Sequence, residues 1–85
     1  MPELNYTYAE KQKTGRITLT PEFDADQWPD LRKCYVPELR NGVLKWELDM
    51  RQLTEISDIV LGYLVEMFST VSLHYGQLTL IVKYG

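Results

Sequence analysis

The sequence predicts an α/β domain in which a four-stranded mixed sheet carries two helices on one face. Residues 43–50 have the two-residue period of apolar side chains that is typical of a strand. A polar loop and then a helical spacing of apolar side chains follow them. Elsewhere, stretches with the same two kinds of pattern follow one another in the order β-β-α-β-α-β. If the strands lie in sequence order, two right-handed strand–helix–strand crossovers in succession place both helices on the same side of the sheet.

The first two strands are expected to form a hairpin. Residues 4–10 alternate apolar and polar side chains, and residues 11–15 have the composition of a turn that Gly15 closes with a positive φ. Residues 16–20 form the second strand, and because the connection is short, the two strands are predicted to be antiparallel.

The first helix is predicted to begin at Asp24 or Asp26, since either side chain can accept from free N–H groups of a first turn. Pro37 has no N–H to donate and predicts a kink or an end near residues 35–36. Its inward stripe is predicted to consist of Trp28, Leu31, Tyr35 and Leu39.

The second half of the chain supplies two strands and the second helix. Residues 43–50 form the central strand, and its inward face is predicted to carry Leu44, Trp46, Leu48 and Met50. The second helix extends from about Ser57 to His74, and residues 77–84 form the last strand. The predicted core consists of Leu19, Leu31, Leu48, Val60, Leu64, Phe68 and Leu80, and Met67 and Val71 complete the buried face of the second helix.

Composition and charge limit the functions that this chain can have. Eighty-five residues suit one small domain, 1–85, and 45% hydrophobic residues is an ordinary content for a globular protein. The net charge is −3, with acidic and basic residues interspersed, so there is no basic stripe for nucleic acid. The single Cys34 and the single His74 exclude an internal disulfide and a zinc cluster of His and Cys.

No stretch of the sequence carries the chemistry of an enzyme. Pairs of carboxylates occur, such as Glu55 with Asp58, but no activated nucleophile, metal set or phosphate-binding loop accompanies them. The N-terminal residues lack the pattern of a signal peptide, and no apolar run approaches the ~20 residues of a membrane span. We therefore expect a cytoplasmic, non-enzymatic protein with no cofactor, no metal, no nucleic acid and no membrane insertion.

Two motifs resemble the STAS domain, the module shared by anti-sigma-factor antagonists and the cytoplasmic tails of sulphate transporters. LDMRQLTEISDIVLGYL, residues 48–64, is similar to the family's strand end, polar turn and Asp-Ser-Ser-Gly-Leu-Gly-like helix start. ITLTPEFDADQWPDLRKCY, residues 17–35, is similar to its strand, Gly-Glu-Leu-Asp turn and Ala-Pro-Glu-Leu-Arg helix start. The matching residues are Glu22, Phe23, Asp24, Pro29, Leu31, Arg32, Leu48, Asp49, Met50, Leu53, Ile56, Leu61, Gly62 and Leu64.

The chain departs from this family in two ways. The phosphorylatable Ser of the family falls on Asp58 and the preceding Asp falls on Ser57, so the pair is reversed. Asp58 therefore puts a fixed negative charge in place of a phosphate. Its carboxylate carries about one negative charge, whereas a phosphoserine carries roughly two. The family also usually continues past the last strand with further helices and a strand, which this sequence lacks.

The resemblance implies a non-enzymatic regulatory module that binds a protein partner through the loop and start of the second helix. In the family the usual partner is an ATP-binding anti-sigma kinase. The alternative is a structural or adaptor STAS subunit of a transporter complex, which the reversed Ser57–Asp58 pair favours. Besides these two regulatory positions, the candidate partner-binding residues are Thr54, Glu55, Ile59, Leu61, Gly62 and Tyr63.

Each of these candidates also has a purely structural interpretation. Ser57 and Asp58 make an ordinary N-cap with an acidic first-turn residue. Ile59 and Tyr63 are expected to be exposed, because one small sheet cannot cover both sides of a helix, although the first helix or residues 51–55 can cover them. His74 is expected to cap the end of its helix.

The last strand is expected to lie at the edge of the sheet with unpaired N–H and C=O groups. Leu78–Val82 is apolar apart from Thr79 and has none of the charges that protect such edges from pairing. We therefore expect a homodimer that forms edge to edge through this strand, or a partner that supplies a further strand. The alternative is that the first hairpin or Tyr84 folds over the edge and shields it.

Overall fold

The computed structural model describes residues 6–83. The elements follow the predicted order, with a 3₁₀ turn at Ala25–Gln27: β1 (Tyr6–Lys11), β2 (Thr14–Leu19), α1 (Trp28–Arg40), β3 (Lys45–Asp49), α2 (Asp58–Leu73) and β4 (Gln77–Ile81). The strands lie in the order β1-β2-β3-β4; the first pair is antiparallel and the other two pairs are parallel. The predicted four-stranded mixed sheet is confirmed, while Leu4, Asn5 and Tyr84 of the predicted strands lie outside the described residues.

Both helices pack side by side on one face of this sheet, as predicted. The indole of Trp28 in α1 stacks on the ring of Tyr63 in α2, with centroids 5.1 Å apart. The core between the helices and the sheet consists of Ile17, Leu19, Trp28, Leu31, Tyr35, Leu39, Val43, Trp46, Leu48, Met50, Val60, Leu64, Met67 and Val71. The inward stripe predicted for α1 is therefore confirmed.

The predicted core is confirmed in part. Leu80 is half-buried, because β4 is the last strand of the described sheet and only one side of it is covered. The predicted burial of Phe68 is wrong. Its side chain is 42% exposed, since it lies on the flank of α2 that faces away from α1. The predicted inward position of Leu44 is also wrong. Leu44 is 37% exposed, because it precedes β3 and does not share the alternation of that strand.

The hairpin turn is tighter than the sequence indicates. Gln12 and Lys13 alone connect β1 to β2, and their φ angles of 53° and 61° are those of a type I′ turn. Gly15 therefore does not close the turn; it lies inside β2 and is buried. The physical reason for a glycine there is the indole of Trp46, because a Cβ on Gly15 would lie 2.5 Å from Cζ3 of that ring.

Pro37 does not end α1 near residues 35–36, so the predicted end of the helix there is wrong. The helix continues to Arg40, and the N–H of Asn41 donates to the carbonyl of Pro37. In a regular helix, the carbonyl of Lys33 would accept from the N–H of residue 37, which a proline lacks. Both residues are on the exposed side of α1. Water can therefore satisfy that carbonyl, and a proline costs least in this position.

Candidate functional site

The candidate site lies where two parallel strands end. The loops that follow β2 and β3, residues 20–24 and 50–57, leave the same edge of the sheet, because parallel strands share one direction. In open α/β sheets this carboxyl edge is where ligands commonly bind. The loops enclose a cleft of about 330 Å³, which we call the acidic cleft; it is lined by Glu22, Phe23, Asp24, Ala25, Leu53, Glu55, Ser57, Ile59 and Val60.

The acidic cleft combines an apolar base with carboxylates. Phe23 and Leu53 are half-buried, and Ile59 exposes 63% of its surface beside them. Glu22, Asp24 and Glu55 supply the carboxylates, and no Lys or Arg lines the cleft. A second hollow, which shares Leu53 with the acidic cleft, is lined by the basic residues Arg51 and Lys83.

The start of α2 is fixed by Ser57. Its backbone is extended, its side-chain oxygen accepts from the N–H of Val60 at 3.2 Å, and its carbonyl accepts from Leu61 at 3.0 Å. This is the N-cap arrangement, so the structural interpretation of Ser57 is confirmed. Asp58 follows as the first helical residue and is exposed, where the positive end of the helix dipole favours a carboxylate.

Ser57→Ala is expected to lower the free energy of unfolding by about 1 kcal/mol, because the first turn of α2 loses its side-chain acceptor. Thermal or denaturant unfolding measures the change. Ser69→Ala, on an exposed position in the middle of α2, is the matched control and is expected to change stability by less than about 0.5 kcal/mol. Equal effects of the two substitutions would contradict a capping role for Ser57.

The base of the β3–α2 loop is held by Asp49, which the two-residue period of the strand predicts to face solvent. Asp49 is only 4% exposed. Its carboxylate accepts from the backbone N–H of Arg51 at 3.0 Å, from the guanidinium of Arg51 at 3.0 and 2.7 Å, and from that of Arg16 at 3.2 Å. The side-chain hydrogen bonds from Arg51 contribute most to holding the pKa of Asp49 far below its ordinary value, and burial opposes them. An Asp side chain often accepts from the backbone N–H two residues later and so forms a turn. An Asp at the end of a strand is therefore a sequence signal for the turn that Asp49 forms here.

The structure brings together some of the predicted site residues and separates others. Glu55, Ser57 and Ile59 line the acidic cleft, and Thr54 is exposed in the same loop. Leu61 is 47% exposed but lies on another flank of α2, and Gly62 faces solvent. The predicted exposure is confirmed for Ile59. It is wrong for Tyr63, which is half-buried because the ring of Trp28 stacks on it.

Other residues that could carry chemistry have structural positions. The Nδ1 of His74 lies 2.9 Å from the carbonyl of Thr70, and His74 is the C-cap of α2, so its predicted capping position is confirmed. Cys34 is a half-buried free thiol whose pKa is raised by burial. Within residues 6–83, no group of three or more His, Cys, Asp or Glu side chains is arranged to hold a metal ion.

No protein-family model matches the sequence, and no curated protein matches it. Among solved structures, the fold is similar to the crystal structure of a protein from Thermotoga maritima that is proposed to be an anti-sigma factor antagonist, with a TM-score of 0.73 and 20% sequence identity. The similarity covers 88% of this chain, and this chain spans 65% of the length of that structure. The domain therefore has an STAS-like fold, as its two sequence motifs predict.

Neither helix among residues 6–83 combines the length and the apolar character that crossing a membrane requires.

Proposed function

We propose that this chain is a non-enzymatic regulatory module that binds a protein partner through the acidic cleft and the first turn of α2. The observation that carries the proposal is the cleft itself, in which Ile59, an exposed apolar residue, lies next to Glu55 and the N-cap Ser57. The STAS-like fold supports the same class, because the structure it resembles is proposed to be an anti-sigma factor antagonist.

The lining of the cleft defines the chemistry of the partner. An exposed Ile59 over the half-buried Phe23 and Leu53 offers a place for one or two apolar side chains. The carboxylates of Asp24 and Glu55 favour a Lys or Arg of the partner beside them, since no basic residue among those described lines the cleft. The expected contact on the partner is therefore an apolar side chain flanked by basic residues.

The first candidate partner is an ATP-binding kinase of the anti-sigma type. Asp58 then acts as a fixed negative charge at the position where related sequences carry a phosphorylatable Ser. Asp58 is exposed at the start of α2, where an anion interacts favourably with the helix dipole and can also meet a partner. Residue 58 has no hydroxyl, so the phosphoserine of the related sequences cannot form there.

The second candidate is a structural subunit of a transporter complex. The observation in favour of it is the position of the Ser57 hydroxyl, which already accepts a hydrogen bond from Val60 as the helix N-cap. The hydroxyl therefore already has a structural role, and residue 58 is Asp where the family has a phosphorylatable Ser, so a contact that needs no reversible phosphorylation is favoured. Identification of the captured partner distinguishes the two candidates.

The test is capture of the partner from an extract of the native host with the full chain as bait. Ile59→Glu and Glu55→Lys are expected to reduce capture of the wild-type partner at least about tenfold, because both change the centre of the proposed contact. Leu73→Glu is the matched control: Leu73 is 79% exposed but lies far from the cleft at the last turn of α2. A partner that all three variants capture equally would place the contact elsewhere.

The role of Asp58 is tested with Asp58→Ser in the same experiment. We expect weaker capture of the partner, with a loss of stability of at most about 1 kcal/mol, as for a first-turn surface substitution. The wild-type chain is also incubated with ATP and any captured kinase. Labelling of Ser57 in the wild type would show that the site is switched and that a fixed charge at residue 58 is not its mode of action.

A further inference from the structure

Within residues 6–83, α2 is packed against a helix on one flank only. On the flank that faces α1, Tyr63 stacks on Trp28, and Glu66 accepts from the indole N–H of Trp28 at 3.0 Å. The guanidinium of Arg32 also donates to Glu66, at 2.7 Å. These contacts fix the side of α2 that lies against α1.

The opposite flank of α2, which we call the outer flank, consists of Leu61, Val65 and Phe68. Their spacing of four and three residues places them on one side of a helix. They expose 47%, 65% and 42% of their surfaces, although all three are apolar. Because α1 lies on the other side of α2, the outer flank faces the β4 end of the sheet.

The apolar side chains of β4 continue this surface. Leu78 pairs with Trp46 and Leu80 with Leu48, and since those two partners point into the core, Leu78 and Leu80 point to the same face of the sheet. Both are only half-buried, because no described strand lies beyond β4. Val82, which follows β4, is 50% exposed.

The backbone of β4 offers hydrogen bonds on its outer side. The N–H of Gln77 donates to Leu44 at 2.8 Å, and the carbonyl of Ile81 accepts from Met50 at 2.9 Å, so odd-numbered residues of β4 turn their polar groups towards β3. In a strand, successive residues turn these groups to opposite sides. The N–H and C=O groups of Leu78 and Leu80 therefore point away from the sheet.

We propose that the outer flank and the edge of β4 form one interface, and that its occupant is a second copy of this chain. A twofold axis perpendicular to the sheet places the β4 strands of the two copies antiparallel, so that the outward groups of Leu78 and Leu80 bond across the axis. The same axis keeps both pairs of helices on one face of the resulting eight-stranded sheet and brings the two outer flanks together.

The spacing of helices and strands fits this arrangement. Helices pack about 8–10 Å apart, which is close to twice the ~4.8 Å spacing of strands, so each helix covers about two strands. Here two helices lie on four strands. A second copy that continues the strand spacing past β4 therefore sets its α2 at the distance of a neighbouring helix, with Val65 and Phe68 in contact with their counterparts.

The distribution of charge favours a second copy over a different partner. The whole molecule has a net charge of −3, yet neither the outer flank nor residues 77–82 contain an ionisable side chain. Two copies therefore meet without opposing like charges, whereas a charged partner finds nothing complementary on this surface. The acidic cleft lies at the opposite flank of the start of α2, so this dimer leaves the cleft open to the proposed partner.

Sedimentation of the full chain between about 1 and 200 µM tests the proposal, since that range covers weak dimers of standard interface size. We expect the average mass to rise with concentration from 10.0 kDa towards twice that value. Val65→Glu is expected to weaken dimerisation at least about tenfold, because it buries two carboxylates near the axis. Leu73→Glu, a control at a position of α2 that is 79% exposed and outside the outer flank, is expected to change it less than about twofold.

Amide hydrogen exchange locates the interface without a substitution. Protection of the N–H groups of Leu78 and Leu80 is expected to increase with protein concentration, because both N–H groups form bonds only in the dimer. A chain that stays at 10.0 kDa across the whole concentration range overturns the proposal. A dimer that Val65→Glu leaves intact, with Leu78 and Leu80 still exchanging fast, also overturns it, because such a dimer uses another surface.

Discussion

Gly15→Ala is expected to lower the free energy of unfolding by about 3 kcal/mol, although it adds one carbon atom only. Gly15 pairs with Trp46 across β2 and β3, and a Cβ on Gly15 would lie 2.5 Å from Cζ3 and 2.6 Å from Cε3 of the indole. Carbon atoms in contact are normally about 3.5–4.0 Å apart. Either the indole or the strand must therefore move.

Trp46 has little freedom to move. Its Nε1 donates to the carbonyl of Val43 at 2.7 Å, the ring of Tyr8 stacks on it at 5.7 Å, and the ring of Tyr35 meets it edge-on at 6.0 Å. The indole is 1% exposed, so no open side can receive it. A shift of the ring large enough to admit a methyl group breaks several of these contacts at once, which is why the expected loss of stability is large.

Gly62→Ala is the matched control for Gly15→Ala. Gly62 lies within α2, and a Cβ there would meet no atom within 4 Å, so this substitution is expected to raise stability by about 0.5–1 kcal/mol. Denaturant unfolding of both variants, followed by tryptophan fluorescence, measures the difference. A Gly15→Ala variant as stable as the wild type would mean that Trp46 does not cover Gly15.

Asp49→Asn is expected to lower the free energy of unfolding by about 2–3 kcal/mol at neutral pH. The change removes a buried carboxylate but leaves the guanidinium groups of Arg16 and Arg51 in place, and these then lose their anionic partner. Both arginines are partly exposed and can turn to water, which keeps the expected loss below that of a fully buried ion pair.

The pH dependence of this effect has a definite sign. Because hydrogen bonds from Arg51 lower the pKa of Asp49 in the folded state, the carboxylate stabilises the fold above its unfolded pKa of about 3.9. That contribution is lost as the pH falls below this value towards the folded pKa. The difference in stability between the wild type and Asp49→Asn is therefore expected to narrow as the pH falls from about 5 towards 2.

Unfolding curves of the two proteins over this pH range provide the measurement. Glu55→Gln, a change of the same kind in an exposed loop residue, is the control and is expected to shift stability by less than about 0.5 kcal/mol at every pH. A constant difference between wild type and Asp49→Asn at all pH values would contradict the assigned ion pairs. Asp49→Asn is also expected to weaken partner capture, since Asp49 holds the base of the loop that leads to the acidic cleft.

Part of the candidate site could be predicted from local sequence. Ser57 caps α2 because a residue with an extended backbone and a short side-chain oxygen precedes a helical spacing of apolar residues, and both features are visible in the sequence. The exposure of Ile59 was expected because one small sheet cannot cover both sides of a helix, but the same argument failed for Tyr63, four residues later. Glu22 and Asp24 were not predicted as site residues, because they reach the acidic cleft from a loop more than 30 positions earlier in the chain.

The sequence by itself determined the order, type and pairing direction of the elements. One-sided burial imposes a period of two on a strand and of 3.6 on a helix, and the handedness of crossovers then places both helices on one face. These are properties of each segment and its immediate neighbours. They predicted the buried stripe of α1 from Trp28 to Leu39 and the limits of α2 within one residue at each end.

Only the tertiary structure decided which flank of each element is covered, because that depends on residues far apart in the chain. Asp49 is buried and bonded to Arg16, 33 positions earlier in the chain, although the period of its strand predicts that it faces solvent. Trp28 covers Tyr63, whereas Phe68 remains 42% exposed, although both lie beside the buried stripe of α2. The helical period indicates that a helix has an apolar side. The width of its buried stripe, however, depends on which other elements pack against the helix in the folded protein.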